Sequence, residues 1–227
     1  FTSGRICQSK QIKAGKYYRV YTALATRQGN RILYSDDFGE TWAVLGKNVA
    51  ESAPRGDEAK IEELPNGNVL LSSRVMGGRF FNVYSYADKK SATGSWGKVA
   101  MSGAANHGVV AKKNACNGEV LMVNAKKNGK KVKLLLQSVP CGPNRVNVGI
   151  YYKALNSPAD YATPEAIAKD WEGCYQVSDT TSAYSTMVQG KDGSIFFLLE
   201  ENAFRHPETE PDDYYDIRFD KLSIGQI

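Results

Sequence analysis

One pattern recurs along the chain: a polar turn holding Asn-Gly or Asp-Gly runs straight into a stretch of apolar residues. It occurs as LPNGNVLLSS over 64–73, NACNGEVLMVN over 114–124 and GKDGSIFFLLE over 190–200, with TRQGNRILYS over 26–35 as a looser copy. Glycine enters the left-handed backbone region without steric penalty, and tight hairpins select Asn-Gly and Asp-Gly, so each copy predicts a hairpin. A further Asn128-Gly129, in NAKKNGKKVKLLL, predicts that the strand at 121–125 turns back into the one at 132–136. A polar, glycine-containing cluster in ILYSDDFGETWAV, 32–44, reads as another hairpin turn. Helical signal is confined to TPEAIAKDW, 163–171, where Thr163 suits the cap, Pro164 the first helical position and Glu165 the first turn. Repeated hairpins with aromatic-rich strands predict an all-β fold, a β-propeller or another array of small antiparallel sheets, with a two-sheet sandwich as the alternative. Gly67, Gly118 and Gly193 are unevenly spaced, so the repeat is irregular.

Composition adds limits. With 227 residues, 42% apolar and 23% charged, the chain is an ordinary globular sequence long enough for one sizeable domain or two small ones. No apolar run is long enough to span a bilayer. The start, FTSGRICQSK, lacks an initiating Met and a signal-peptide pattern, and reads as the inside of something longer. The net charge of +5 is spread along the chain, which permits an acidic ligand and does not argue for nucleic acid. Lys126, Lys127, Lys130, Lys131 and Lys133 form the one strong basic run, and a solvated hairpin tip is favoured there over a polyanion site. Cys7, Cys116, Cys141 and Cys174 include no CxxC, and His107 and His206 lie far from them in sequence, so no zinc site is expected. Cys116 and Cys141 are candidates for a bridge in an oxidising compartment, against buried thiols as the commoner state.

SDDFGETW matches the Asp-box, S-x-D-x-G-x-T-W, which recurs in the blades of sialidases and some other propellers. In such a turn Ser35, Asp37, Gly39, Thr41 and Trp42 are architectural: Asp37 accepts backbone N–H groups, Gly39 takes positive φ, and Trp42 packs between sheets. The motif marks a fold more than a chemistry. Four further segments, in order, resemble the C-terminal half of a bacterial exo-α-sialidase (neuraminidase, glycoside hydrolase family 33). DEAKIEELPNG resembles the segment in which a Glu begins a strand, which gives Glu58. The end of NVLLSSR places the second arginine of the family's carboxylate-binding triad at Arg74, and GPNRVNVGIYY places the third at Arg145. SAYSTMVQGKDGSIFFLLEE resembles the segment holding the tyrosine nucleophile, Tyr184, and a supporting carboxylate, Glu200.

The resemblance implies a six-bladed sialidase-type β-propeller of which this chain supplies roughly the last three or so blades, with 1–227 a C-terminal portion of one catalytic domain and no internal boundary. It implies an exo-sialidase that removes terminal sialic acids from glycoconjugates with retention. The alternatives are a non-catalytic carbohydrate-binding Asp-box (BNR repeat) module and a trans-sialidase. The family's catalytic Asp and first triad arginine have no counterpart here, so an N-terminal portion, as a separate chain or outside this sequence, is the expected partner, and this chain alone is expected to be inactive. Other expectations are sialylated glycans as ligand, no cofactor or metal, no nucleic acid, no membrane span, and a secreted, periplasmic or cell-surface location.

The chemistry suits these residue types. A sialoside carries a carboxylate on the anomeric carbon, so a carboxylate nucleophile meets charge repulsion there and a neutral phenol does not. Sialidases with a tyrosine nucleophile depart from the two-carboxylate scheme on this point. A phenol titrates near 10, so a neighbouring Glu58 is needed to take its proton. Arginine offers a planar fork with two parallel charge-assisted bonds to the substrate carboxylate. Each residue also has a plain structural role open to it. Tyr184 is one of thirteen tyrosines, Glu58 precedes a strand, Arg55 and Arg79 compete with Arg74, and Arg145 can pin a loop through backbone carbonyls.

Overall fold

A computed structural model describes residues 2, 4–46, 52–127, 129–204 and 215–227. Its strands form four separate antiparallel sheets, each a run of strands consecutive in the chain. The first holds β1 (Cys7–Ala14), β2 (Tyr17–Thr26), β3 (Gly29–Ser35) and β4 (Ala43–Val44). The second holds β5 (Ala59–Glu63), β6 (Val69–Val75), β7 (Gly78–Asp88) and β8 (Thr93–Trp96), with β9 (Ala100–Ser102) also pairing with β7. The third holds β10 (Val120–Lys127), β11 (Lys130–Pro140), β12 (Val148–Leu155) and β13 (Gly173–Gln176). The fourth holds β14 (Ser182–Gln189), β15 (Ile195–Glu201) and β16 (Asp216–Leu222). Small up-and-down sheets of this kind are the repeating unit of a propeller. Four form where roughly three or so were expected, and they do not collapse into the two sheets of a sandwich.

The chain divides into two compact units. One comprises Phe1–Val75, Arg79–Ser102 and Ser157–Lys169, and the other Met76–Gly78, Gly103–Asn156 and Asp170–Ile227. In the first, Tyr21, Ile32, Leu45, Ile61, Val69, Leu71 and Tyr84 are buried in one apolar cluster. In the second, Leu136, Val148, Ile150, Met187, Ile195, Phe197 and Leu199 form the cluster. Strand periodicity decides which residues enter it: Ile195, Phe197 and Leu199 alternate along β15 and point to one face.

The turn chemistry acts locally. Between β5 and β6 the Leu64 N–H donates to Asn68 O at 2.8 Å, and Gly67 takes φ +83°. Between β14 and β15 the Gly190 N–H donates to Ser194 O at 2.8 Å, and Gly193 takes φ +86°. The looser copy also makes a hairpin, with Thr26 facing Gly29 across β2 and β3. Lys127 faces Lys130 across β10 and β11, as Asn128-Gly129 predicts, although Asn128 itself lies outside the described residues, as does His206.

Asn117-Gly118 differs: no partner strand precedes β10 in its sheet, so this copy opens a strand without closing a hairpin. Gly118 does not adopt positive φ. A Cβ at that position would lie 1.8 Å from Ser138 O, so the glycine is needed for the close approach of two backbones.

The helix forms as α1 (Pro164–Ala168), shorter than its sequence window. The Thr163 side chain accepts the Ala166 N–H at 3.2 Å, Pro164 occupies the first turn, and Lys169 is already extended. The chain then leaves through Asp170, whose φ is +54°.

In SDDFGETW, Ser35 Oγ donates to Asp37 Oδ1 at 2.7 Å and accepts the Gly39 N–H at 2.8 Å. Asp37 accepts the Thr41 N–H at 2.8 Å and the Thr41 hydroxyl. These bonds, the Thr41 hydroxyl first and then its backbone N–H, hold the Asp37 carboxyl down at about 2. Gly39 takes φ +97°. The Trp42 indole lies over Gly39 and donates its N–H to Gly39 O at 3.1 Å, with 37% of its surface still exposed.

Candidate functional site

The expected site residues fall into two groups, each described within its own unit. In the first unit, Glu58 and Arg74 are cross-strand neighbours. The β5–β6 ladder pairs Ala59 with Ser73, and one step further the Arg74 N–H donates to Glu58 O at 2.8 Å. This register carries the side chains together, and Arg74 Nη1 donates to Glu58 Oε2 at 2.7 Å. Asp57 adds a second carboxylate 3.7 Å from Arg74 Nε. Glu58 is 7% exposed, so it is not the solvated residue that its place before a strand also allowed. Of the two rival arginines, Arg79 is fully buried and spends its guanidinium on Ser72, its Nε on the hydroxyl at 3.0 Å and its Nη2 on the carbonyl at 3.2 Å. Arg55 is exposed.

In the second unit, Tyr184, Arg145 and Glu200 come together around a defect in a sheet. β14 and β15 pair Ser182 with Glu201 and Ser185 with Leu199, so two residues, Ala183 and Tyr184, oppose the single Glu200. Two residues against one is a β-bulge, which re-aims a side chain and takes a backbone N–H out of the ladder. Glu200 meets that N–H: its Oε2 accepts from Tyr184 N at 3.1 Å. The Arg145 guanidinium carbon sits 5.7 Å from the centroid of the Tyr184 ring, a cation over an electron-rich face.

Arg145 is delivered by a tight loop between β11 and β12. The Cys141 N–H donates to Asn147 O and the Gly142 N–H to Val146 O, each at 3.0 Å, which closes the loop neck. At its tip Asn144 and Arg145 take φ of +55° and +59°. Asn tolerates that region; an Arg there costs about 1–2 kcal/mol, strain that the surrounding bonds must hold. They do so by tying the loop to the segment before Tyr184: Arg145 O accepts the Ser182 N–H at 2.8 Å, and the Asn147 N–H donates to Thr180 O at 3.0 Å. Arg145 therefore pins backbone through its own carbonyl while its guanidinium lies over the Tyr184 ring.

Other polar residues here were not singled out from the sequence. Ser182 Oγ accepts the Val148 N–H at 2.9 Å, and Ser185 Oγ donates to Ser138 Oγ at 2.8 Å. Glu119 is fully buried and accepts from the Thr186 hydroxyl at 2.9 Å. The signal for Glu119 was present, because it stands immediately before an apolar strand as Glu58 does. The cysteine pairing also differs from the candidate bridge: the sulfur beside Cys141 is that of Cys174, at 3.0 Å, and all four cysteines are thiols. Among the described residues there is no cluster of three or more His, Cys, Asp or Glu suited to a metal, and no helix is long and apolar enough to cross a membrane.

No protein-family model and no curated protein matches the sequence. Solved structures do. The NanB sialidase of Streptococcus pneumoniae, in complex with 2-[(3-chlorobenzyl)ammonio]ethanesulfonate, is similar over 99% of this chain and 32% of its own, at 18% identity and a TM-score of 0.71. The intramolecular trans-sialidase of Ruminococcus gnavus, in complex with oseltamivir carboxylate, matches 96% of this chain and 43% of its own, at 20% identity and a TM-score of 0.62. The α-L-arabinofuranosidase Arb93A of Fusarium graminearum matches 98% of this chain and 63% of its own, at 15% identity and a TM-score of 0.51. The chain thus has a sialidase-like β-propeller fold and spans about a third of the length of the NanB chain. A fold shared with an arabinofuranosidase does not by itself choose the sugar.

Proposed function

We propose that this chain carries the nucleophile and part of the carboxylate-binding set of a retaining sialic-acid glycosidase. The observation that carries the reading is the bulge in which Tyr184 has Arg145 over its ring and Glu200 on its backbone N–H. A tyrosine held there has a fixed ring, and the cation over its face favours the negative charge that grows on the phenol oxygen as it attacks. In this reading Tyr184 Oη bonds to the anomeric carbon as the glycosidic C–O bond breaks, and Glu58 takes the phenol proton. Arg74 and Arg145 bind the substrate carboxylate, Glu58 being turned toward Arg74 before substrate arrives. The acid that protonates the leaving oxygen and the first arginine of the triad lie outside these residues, so turnover needs the N-terminal portion. No cofactor enters the scheme. Sialylated glycans as substrate carry with them a secreted or cell-surface setting.

The test is a fluorinated sialosyl donor that traps the glycosyl-enzyme, applied to the purified protein with every co-purifying polypeptide retained and read by peptide-mapping mass spectrometry. The expected result is one sialosyl adduct, on the peptide containing Tyr184, absent from Tyr184→Phe and slowed in Glu58→Gln. An unmodified Tyr184 with the N-terminal portion present refutes the nucleophile and leaves a carbohydrate-binding module as the reading. The likeness to an intramolecular trans-sialidase favours checking the product by NMR, since free sialic acid and a transferred or anhydro sugar separate hydrolysis from transfer.

A further inference from the structure

We infer that Cys141 and Cys174 are a dithiol–disulfide couple, a redox modification site whose closure clasps the neck of the Arg145 loop to strand β13. The two sulfurs are 3.0 Å apart, about 1 Å beyond the length of a covalent S–S bond. Gly149 makes the space they share: a Cβ there would lie 2.8 Å from Cys174 Sγ and 3.0 Å from Cys141 Sγ. Both thiols are reachable, Cys174 exposed and Cys141 half-buried.

The pair also has the chemistry for exchange, in which the thiolate is the attacking species. The hydrogen bond from Cys174 is the main influence that holds the Cys141 thiol below its usual range, with Lys112 contributing, and the same contact holds Cys174 above it. The other cysteines contrast with this. Cys7 is buried beside Glu62, and burial first, then that carboxylate, pushes its thiol up to about 12; Cys116 is 2% exposed.

With a glutathione-type disulfide as oxidant, the Cys141 thiolate attacks one sulfur and expels a glutathione thiolate. Cys174 then gives up its proton and attacks Cys141 Sγ, forming the intramolecular bond and expelling the second glutathione. Two protein thiols are oxidised and one glutathione disulfide is reduced to two thiols. The link joins residues 33 apart in sequence, on the third sheet and at the neck of the loop it precedes. This site stands whether or not the chain is a glycosidase.

The experiment equilibrates the purified chain in buffers ranging from reduced to oxidised glutathione, quenches with an alkylating agent, and reads intact and peptide masses. The expected result is that oxidation removes two alkylation sites and yields one cross-linked peptide pair containing Cys141 and Cys174. Cys7 and Cys116 stay alkylatable after denaturation. Cys174→Ser stops at a glutathione adduct on Cys141, and the rise in thermal midpoint that oxidation gives the wild type disappears. Four alkylatable thiols after full oxidation, or a cross-link between any other two cysteines, overturns the inference.

Discussion

Glu200→Ala tests the way the bulge holds Tyr184. Glu200 Oε2 accepts the Tyr184 N–H at 3.1 Å, at the one place between β14 and β15 where the ladder pairs two residues with one. A hydrogen bond to an ionised acceptor contributes about 1.5–3 kcal/mol net, and an unmet donor costs about 1–3 kcal/mol. Glu200 is only half-buried, so water screens the charge and can reach the N–H, which brings the figure to about 1–2 kcal/mol. That energy corresponds to a factor of about 5–30 in the local opening equilibrium. Native-state hydrogen exchange followed by NMR reads it residue by residue. In Glu200→Ala the Tyr184 amide is expected to exchange about 5–30-fold faster. Glu200→Gln keeps an amide oxygen as acceptor and is expected to show a smaller acceleration. Amides in the middle of β11 and β12 should follow only the change in global stability, measured in parallel by urea unfolding. An unchanged Tyr184 amide, or equal acceleration at every amide of the unit, refutes the idea that the carboxylate secures the bulge.

The Asp37 turn should show itself in acid. Its carboxyl is held at about 2 against an ordinary 3.8, so folding favours the ionised form; the contribution is complete above about pH 4 and is lost as pH falls through about 2. The gap in urea midpoint between wild type and Asp37→Asn should therefore shrink from pH 5 to pH 2, and a constant gap would contradict the assigned bonds. Gly118→Ala should cost about 1–3 kcal/mol or more in urea unfolding, because its Cβ meets the Ser138 carbonyl. Gly193→Ala, in open space at φ +86°, should cost about 1 kcal/mol from backbone strain alone. Equal losses at the two sites would show that Gly118 is not a packing glycine.

The structure agrees with the sequence at most of the local turn signals. Gly67, Gly193 and Gly29 take positive φ in hairpins because neighbouring residues close the same turn, and Thr163 caps α1 from three residues away. Asn117-Gly118 carries the same letters and fails as a hairpin, since a turn dipeptide needs two strands and the partner before it is missing. The register of β5 and β6 brings Glu58 to Arg74, a pairing that alternation along two adjacent strands makes plain once they are known to pair.

The pattern of turns and apolar runs was enough to determine an all-β chain of short hairpins and the Ser35–Trp42 turn, because these depend on contacts a few residues long. The bulge at Ala183 and Tyr184, the strained Arg145 above the tyrosine ring, the acceptor role of Glu200, and the choice of Cys174 over Cys116 as the neighbour of Cys141 were decided by tertiary structure. Each depends on residues more than a dozen positions apart meeting at one register. A one-residue shift in any of those ladders turns the side chain to the opposite face, and no local propensity carries that information.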